Sequence, residues 1–199
     1  MAAELEFFFD YGSPYSYLAD TRLPALCART GCTVRYRPML LGGVFKATGN
    51  QSPMYEPVEA KRQYGTVELQ RWIAHYGVPF QMSSFFPINT LPLMRLAHAA
   101  QRAGVFPAFH AAVYPAFWAE GQNLGDLEVI AAVLRTANLD AEALGAAAGE
   151  ASTKQLLRDT TDEAVARGAF GAPTFFVGDE MFFGNDRLAM VELALGSTL

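Results

Sequence analysis

Charge, cysteine, histidine and long apolar runs are all scarce in this 199-residue chain, and each scarcity excludes something. Only 18% of residues are charged while 51% are hydrophobic, against roughly a quarter charged in an average soluble domain. That balance excludes an intrinsically disordered chain. Fifteen Lys and Arg stand against twenty Asp and Glu, a net charge of −5. Such a chain has no basic surplus to recruit a nucleic-acid backbone or an anionic membrane, so neither partner is expected. No apolar run approaches the roughly 18 residues of a membrane span. The opening Met1-Ala2-Ala3-Glu4 has no basic stretch, and Glu4 and Asp10 bracket the first apolar run, so no signal peptide is expected and the location implied is cytoplasmic.

The two cysteines, Cys27 and Cys32, cannot build a disulfide framework. Their spacing fits neither a redox pair nor a zinc knuckle, and they read as structural thiols, one late in a helix and one where a strand begins. His75, His98 and His110 form no H-x-x-x-H or H-E-x-x-H grouping, so no metal is expected and the three read as partly exposed helix residues.

What is present is ordered. Leu5–Phe9 is an apolar run of strand length. Asp10-Tyr11-Gly12-Ser13-Pro14 then makes a turn that opens a helix, with Ser13 as N-cap and Pro14 at the first helical position. Leu18, Leu23 and Leu26 keep a helical period as far as Gly31, and Thr33–Arg37 alternates as a strand that ends at Pro38. The unit is a βαβ with a right-handed crossover. From about Leu41 to Gly149 the pattern is helical throughout. Expected helices cover Glu56–Tyr76, Asn89–Gly104 with Asn89 as cap, Phe106–Trp118, and Asp126–Asn138; the alanines of 141–148 suit a tightly packed helix. The last fifty residues give a helix (Ser152–Arg167), strands Thr174–Val177 and Glu180–Phe183 around a Gly178-Asp179 turn, and a helix from Asp186. The order β-α-β, helical block, α-β-β-α describes an α/β thioredoxin-like fold of the DsbA-like branch. Its sheet domain is expected from 1–41 plus 150–199, with an all-helical insertion at 42–149.

Three segments carry candidate chemistry. Ser13-Pro14-Tyr15-Ser16 stands where thioredoxin-like redox proteins carry C-x-x-C at a helix N-terminus. Both cysteine positions are serine, so disulfide exchange at this site is excluded. What remains is a hydroxyl at a positive helix end, suited to stabilising a thiolate supplied by a ligand, unless Ser13 serves only as a cap. Ala172-Pro173 precedes a strand where such folds hold a cis-proline; it would present the Ala172 backbone to an extended peptide, or it is an ordinary proline at a strand start. Asn185 and Asp186 read as cap and first-turn acid. Arg187 opposes the helix dipole and so implies a carboxylate nearby, from a local salt bridge or from a ligand.

Together these segments resemble a known family. Phe8-Phe9-Asp10-Tyr11-Gly12-Ser13-Pro14-Tyr15-Ser16-Tyr17-Leu18, Gly49-Asn50, Leu69-Gln70-Arg71-Trp72, Phe86-Pro87-Ile88-Asn89-Thr90, Phe170-Gly171-Ala172-Pro173-Thr174 and Gly184-Asn185-Asp186-Arg187-Leu188 are similar to the 2-hydroxychromene-2-carboxylate isomerases, whose relatives are the kappa-class glutathione transferases. The likeness runs in order from about residue 5 to 195.

The resemblance implies a DsbA-like homodimer that uses glutathione. It makes Ser13 the hydroxyl at the glutathione sulfur and gives Asn50 to the glutathione site. Lys61 falls near the glycine carboxylate, the Ala172 backbone, before Pro173, pairs with the cysteinyl unit, and Asn185 and Asp186 hold the γ-glutamyl end. It further implies isomerisation of 2-hydroxychromene-2-carboxylate to trans-o-hydroxybenzylidenepyruvate in naphthalene-type degradation, by conjugate addition of a thiol, bond rotation and elimination. The aromatic acceptor would be met by some of Tyr11, Phe85, Phe86, Tyr114, Trp118 and Phe183. The alternatives are a kappa-like transferase that keeps the adduct and a non-catalytic thioredoxin-like binding module. Low charge together with 13% aromatic residues also favours a homodimer, since large apolar patches mark interfaces.

Overall fold

The computed structural model describes residues 3–196. Its centre is a four-stranded sheet in the order β2-β1-β3-β4, built from β1 (Glu4–Phe9), β2 (Thr33–Pro38), β3 (Thr174–Val177) and β4 (Glu180–Phe183). β1 runs parallel to β2, with Phe7 opposite Tyr36, and antiparallel to β3, with Phe7 opposite Phe175. β4 pairs antiparallel with β3.

The aromatic run of β1 explains its central place. A strand buried on both faces needs apolar residues at every position rather than at alternate ones. Leu5, Phe7 and Phe9 face the larger core, where Phe7 stacks on Phe175 with centroids 5.1 Å apart. Phe8 faces the opposite side and packs with Phe176, Met39, Val44 and Ala164.

The β1–β2 crossover is two helices, α1 (Pro14–Asp20) and α2 (Leu23–Thr30), where the sequence pattern predicts one. Pro24 is the reason. It offers no N–H and its ring clashes with the preceding turn, so a helix restarts with proline in its first turn. α3 (Leu41–Thr48) follows β2, and α4 (Glu59–Tyr76) starts three residues later than expected, after a 3₁₀ turn at Pro53–Tyr55. α5 (Leu91–Arg102) takes Thr90 rather than Asn89 as its cap residue, although the Asn89 side chain still accepts from the Leu91 N–H at 3.1 Å. α6 (Phe106–Tyr114) passes into a π turn over Pro115–Ala119, because Pro115 cannot supply an α-helical hydrogen bond. α7 (Leu127–Thr136), capped by Asp126, α8 (Ala141–Gly149) and α9 (Ala151–Ala166) complete the block before β3. After β4, a 3₁₀ turn at Asn185–Arg187 leads into α10 (Leu188–Ala194). A mixed sheet with helices on both faces, entered by βαβ and closed by ββα, is the thioredoxin-like architecture of the DsbA-like branch.

Two histidines differ from expectation. His98 and His110 are buried, and burial pushes the His98 pKa down. His98 Nε2 donates to the Pro38 carbonyl at 3.0 Å, closing part of the free edge of β2. His110 bridges Tyr11 Oη at 2.8 Å and Asp20 Oδ1 at 3.0 Å. A helical period places such side chains against the sheet, where polar atoms persist only if hydrogen-bonded. No helix among the described residues is long and apolar enough to cross a membrane.

Candidate functional site

The site begins where β1 ends. Asp10, Tyr11 and Gly12 turn the chain into α1, and a buried carboxylate holds that turn. Asp10 accepts from the N–H of Gly12 at 2.8 Å, the N–H of Leu41 at 2.8 Å and Thr90 Oγ1 at 3.0 Å. One side chain thereby clamps the starts of α3 and α5 to the end of β1. Burial raises its pKa above the ordinary carboxylate value, against the lowering effect of these hydrogen bonds. Gly12 is required by packing, since a Cβ there would lie 2.8 Å from Thr90 Cγ2.

Ser13 caps α1 from an extended backbone conformation, its Oγ accepting from the Ser16 N–H at 3.1 Å. The same hydroxyl donates to the carbonyl of Ala172 at 2.9 Å. The cap reading of Ser13 is therefore correct and incomplete, because its proton points across the fold to the residue before Pro173. The Ala172–Pro173 bond is cis. Pro14 lacks an N–H, which leaves Tyr15 with the first free backbone donor of the helix.

The loop after β4 closes against this pair. Gly184 donates its N–H to the Pro173 carbonyl at 3.0 Å and adopts φ +100°, a conformation that glycine alone tolerates readily. A Cβ at Gly184 would stand 2.5 Å from Asp186 Oδ1. Asn185 is buried, its carbonyl accepting from Tyr76 Oη at 3.2 Å. Asp186 pairs with Arg187, so the carboxylate that Arg187 implied is its own neighbour. Tyr15 lies between these elements; burial, then the charges of Glu68 and Asp186, push its pKa up to about 12.

Ser13, Ala172, Pro173 and Asn185 thus form one connected site, with Asp186 on its rim. Asn50 is tied to the same region through Nδ2, which donates to the Phe170 carbonyl at 2.9 Å. Lys61 is not brought in. It stands exposed on the first turn of α4, and no hydrogen bond or ion pair among the described residues joins it to the others. Of the aromatic candidates, Tyr11 and Trp118 belong to the core, where Trp118 Nε1 donates to the Tyr11 carbonyl at 2.8 Å. Phe85 and Phe183 are exposed, while Phe86 packs half-buried against Trp118.

Asp10, Thr90, Tyr76 and Tyr15 were not anticipated as site residues. The Asp-x-Gly turn before a capped helix was a usable signal for Asp10 alone, since its other partners lie 31 and 80 residues away in sequence. Tyr114 lines a cavity of about 1120 Å³ along β2 between Tyr36, Phe106 and His110. Ser13, Ala172 and Asn185 do not line it. Its size would admit a ligand, but the hydroxyl, the backbone carbonyl it pairs with and the helix start lie at Ser13. Among the described residues no group of three or more His, Cys, Asp or Glu is placed to hold a metal ion.

Comparison with known proteins covers nearly the whole chain. Residues 4–196 match the model of the DSBA-like thioredoxin domain. A 2-hydroxychromene-2-carboxylate isomerase of Sphingobium xenophagum is 34% identical over 192 residues, covering 96% of this chain and 97% of that protein. A glutathione S-transferase kappa 2 of Caenorhabditis elegans is 29% identical, covering 94% of this chain and 89% of the transferase. A solved structure of a 2-hydroxychromene-2-carboxylate isomerase superposes with a TM-score of 0.80 at 34% identity, over 97% of this chain and 94% of that one.

Proposed function

The chain belongs to the DSBA-like thioredoxin family, in the group of the 2-hydroxychromene-2-carboxylate isomerases, and from that premise we propose that it is a glutathione-dependent isomerase. Its substrate on this reading is 2-hydroxychromene-2-carboxylate, its product trans-o-hydroxybenzylidenepyruvate, and its setting cytoplasmic aromatic degradation. The observation that carries the reading is the hydrogen bond from Ser13 Oγ to the Ala172 carbonyl, 2.9 Å long. It brings a hydroxyl donor and a backbone acceptor together at the former redox position, with no sulfur of the protein's own.

The donor set fits glutathione. When bound, glutathione supplies a thiol nucleophile for conjugate addition and leaves unchanged. The Ala172 carbonyl would accept the N–H of the cysteinyl unit, as an edge strand accepts a peptide. Ser13 Oγ–H would hold the sulfur and favour its anionic form, the free N–H of Tyr15 adding a second donor at the helix start. Asp186 would receive the γ-glutamyl ammonium and the Asn185 amide the carboxylate beside it. Asn50 positions the 170–173 segment through the Phe170 carbonyl, and Lys61 is assigned the glycine carboxylate by resemblance alone. Asp10 fixes the turn that aims Ser13 and lies too deep to touch a ligand.

The similarity to kappa-class transferases supports a second reading, in which the thiol is activated in the same way and the adduct persists. An absorbance assay on the chromene carboxylate, with and without glutathione, decides. Isomer formation that requires glutathione and leaves its thiol titre unchanged supports the isomerase. Stoichiometric loss of thiol supports the transferase. No reaction, with no glutathione binding by calorimetry, refutes both and leaves a binding module.

A further inference from the structure

Cys27 and Cys32 are separated by a spacing that matches no redox motif, yet the fold brings their Sγ atoms to 3.1 Å. The cause is the glycine that ends α2. Gly31 adopts φ +69° and its N–H bonds to the Cys27 carbonyl at 2.8 Å, which reverses the chain over the last helical turn. A glycine cap of this kind lays the residue after the glycine against one in the last turn, commonly as an apolar contact. Here both members of that contact are sulfur.

Both thiols are free, Cys32 buried and Cys27 partly accessible. A disulfide bond is about 2.03–2.05 Å long, so the two sulfurs need to close by only about 1 Å, within reach of small side-chain rotations. No other cysteine exists in the chain to compete. We propose that Cys27 and Cys32 are a reversible disulfide site, oxidised by exchange with a low-molecular-weight disulfide such as oxidised glutathione.

In the first step the accessible Cys27 thiolate attacks one sulfur of the small disulfide. A Cys27–glutathione bond forms and one glutathione thiolate leaves, taking up the proton that Cys27 lost. In the second, the Cys32 thiolate attacks the Cys27 sulfur, the intramolecular bond forms, and the second glutathione leaves with the remaining proton. Two protein thiols are oxidised and one small disulfide is reduced to two thiols. Burial and the neighbouring sulfur push the Cys27 thiol up to about 12, so the first step is slow at neutral pH. The second is fast because its nucleophile is already in contact, so the mixed disulfide does not accumulate. Neither cysteine shares a hydrogen bond with Ser13, and the proposal is independent of the isomerase reading.

The test incubates the folded full-length chain with oxidised glutathione, quenches with acid, and reads intact mass and thiol titre. Expected are the loss of two hydrogens, simultaneous loss of both titratable thiols, no glutathione adduct, and full reversal by dithiothreitol. Cys32→Ser, which cannot complete the second step, should accumulate the Cys27 adduct. The proposal is overturned if the parent protein keeps both thiols even with diamide, if it accumulates the same stable adduct as Cys32→Ser, or if its disulfides link separate chains. It is equally overturned if the intramolecular bond forms only in urea, because the folded contact would then play no part.

Discussion

Replacing Ser13 by alanine should separate the two tasks of its hydroxyl. As a cap it accepts from the Ser16 N–H, and as a donor it reaches the Ala172 carbonyl at 2.9 Å. Losing an N-cap costs about 0.5–2 kcal/mol, and an orphaned partly buried carbonyl adds about 1 kcal/mol or more. Catalysis loses something else. A hydrogen bond to a charged group is worth about 1.5–3 kcal/mol, so the thiol of bound glutathione should ionise about one to two pH units higher without it. Turnover near neutrality should fall about ten- to hundredfold, with part of the rate recovered as pH rises. Ser13→Gly sharpens the test, because glycine caps a helix within a few tenths of a kcal/mol of serine, roughly. The glycine variant should be the more stable of the two and equally slow. The assay pairs thiolate ultraviolet absorbance of bound glutathione across pH with initial rates and urea unfolding. If Ser13→Ala ionises bound glutathione normally and turns over at the parental rate, Ser13 only caps its helix and the proposed activation is wrong.

Other perturbations address neighbouring claims. Ser16 Oγ is buried without a hydrogen-bond partner, so Ser16→Ala should match or exceed parental stability and keep its rate, whereas a loss comparable to that of Ser13→Ala would give Ser16 a role at the sulfur. Asp10 has a raised folded pKa, so its contribution to stability is greatest below its ordinary value of 3.8 and declines as pH rises through the folded value. Asp10→Asn leaves a donor unsatisfied at a cost of about 1–3 kcal/mol, and in urea unfolding that deficit should be largest in acid and shrink towards neutrality; a pH-independent deficit contradicts the raised pKa. Gly184→Ala, at φ +100° and 2.5 Å from Asp186 Oδ1, should cost on the order of 1–3 kcal/mol and weaken glutathione binding by calorimetry, and unchanged affinity would remove the 184–186 loop from the site. α4 buries only Leu69 fully while Tyr64 is 57% and Val67 48% exposed, so light scattering should find a homodimer that Tyr64→Glu weakens, and a monomeric parent at micromolar concentration sinks that expectation.

The strands were legible because their signals are local. Leu5–Phe9 is apolar at every position but Glu6, with three consecutive phenylalanines that suit a strand buried on both faces, and β3 and β4 flank an evident Gly-Asp turn. Ser13 and the Ala172-Pro173 pair were legible for the same reason, each lying at an element boundary with its own turn chemistry. What escaped were relations across the chain. Nothing near Asp10 announces Leu41 or Thr90, and nothing near Tyr76 announces Asn185. Pro24, read within one continuous period, was outweighed by the leucines around it, although its missing N–H splits the helix. His98 and His110 read as partly exposed helix residues because burial of a polar ring depends on partners that only the tertiary fold supplies: the Pro38 carbonyl for one, Tyr11 and Asp20 for the other. The Cys27–Cys32 contact follows from a local rule about glycine caps that a search for redox spacings overlooks.

In the proposed function, the hydrogen bond between Ser13 and Ala172 joins recognition to activation. Before a ligand enters, the hydroxyl proton and the carbonyl satisfy each other, and an unpaired polar group near the sheet costs about 1–3 kcal/mol, so the pair resists opening. An alkyl thiol without a peptide backbone offers nothing to the carbonyl, and to claim the Ser13 proton it must leave that acceptor stranded. A peptide thiol carries its own N–H for Ala172 and frees the hydroxyl in the same movement, exchanging one neutral hydrogen bond for two, one of them to a charge. Charge-assisted bonds are roughly twice as strong as neutral ones, so the exchange favours the anionic sulfur only when the backbone docks with it. A cysteine at this position would react with any disulfide that reached it. On the proposed function, a serine already paired to the docking carbonyl would respond to the peptide, and selectivity for glutathione over small thiols would follow from one 2.9 Å contact.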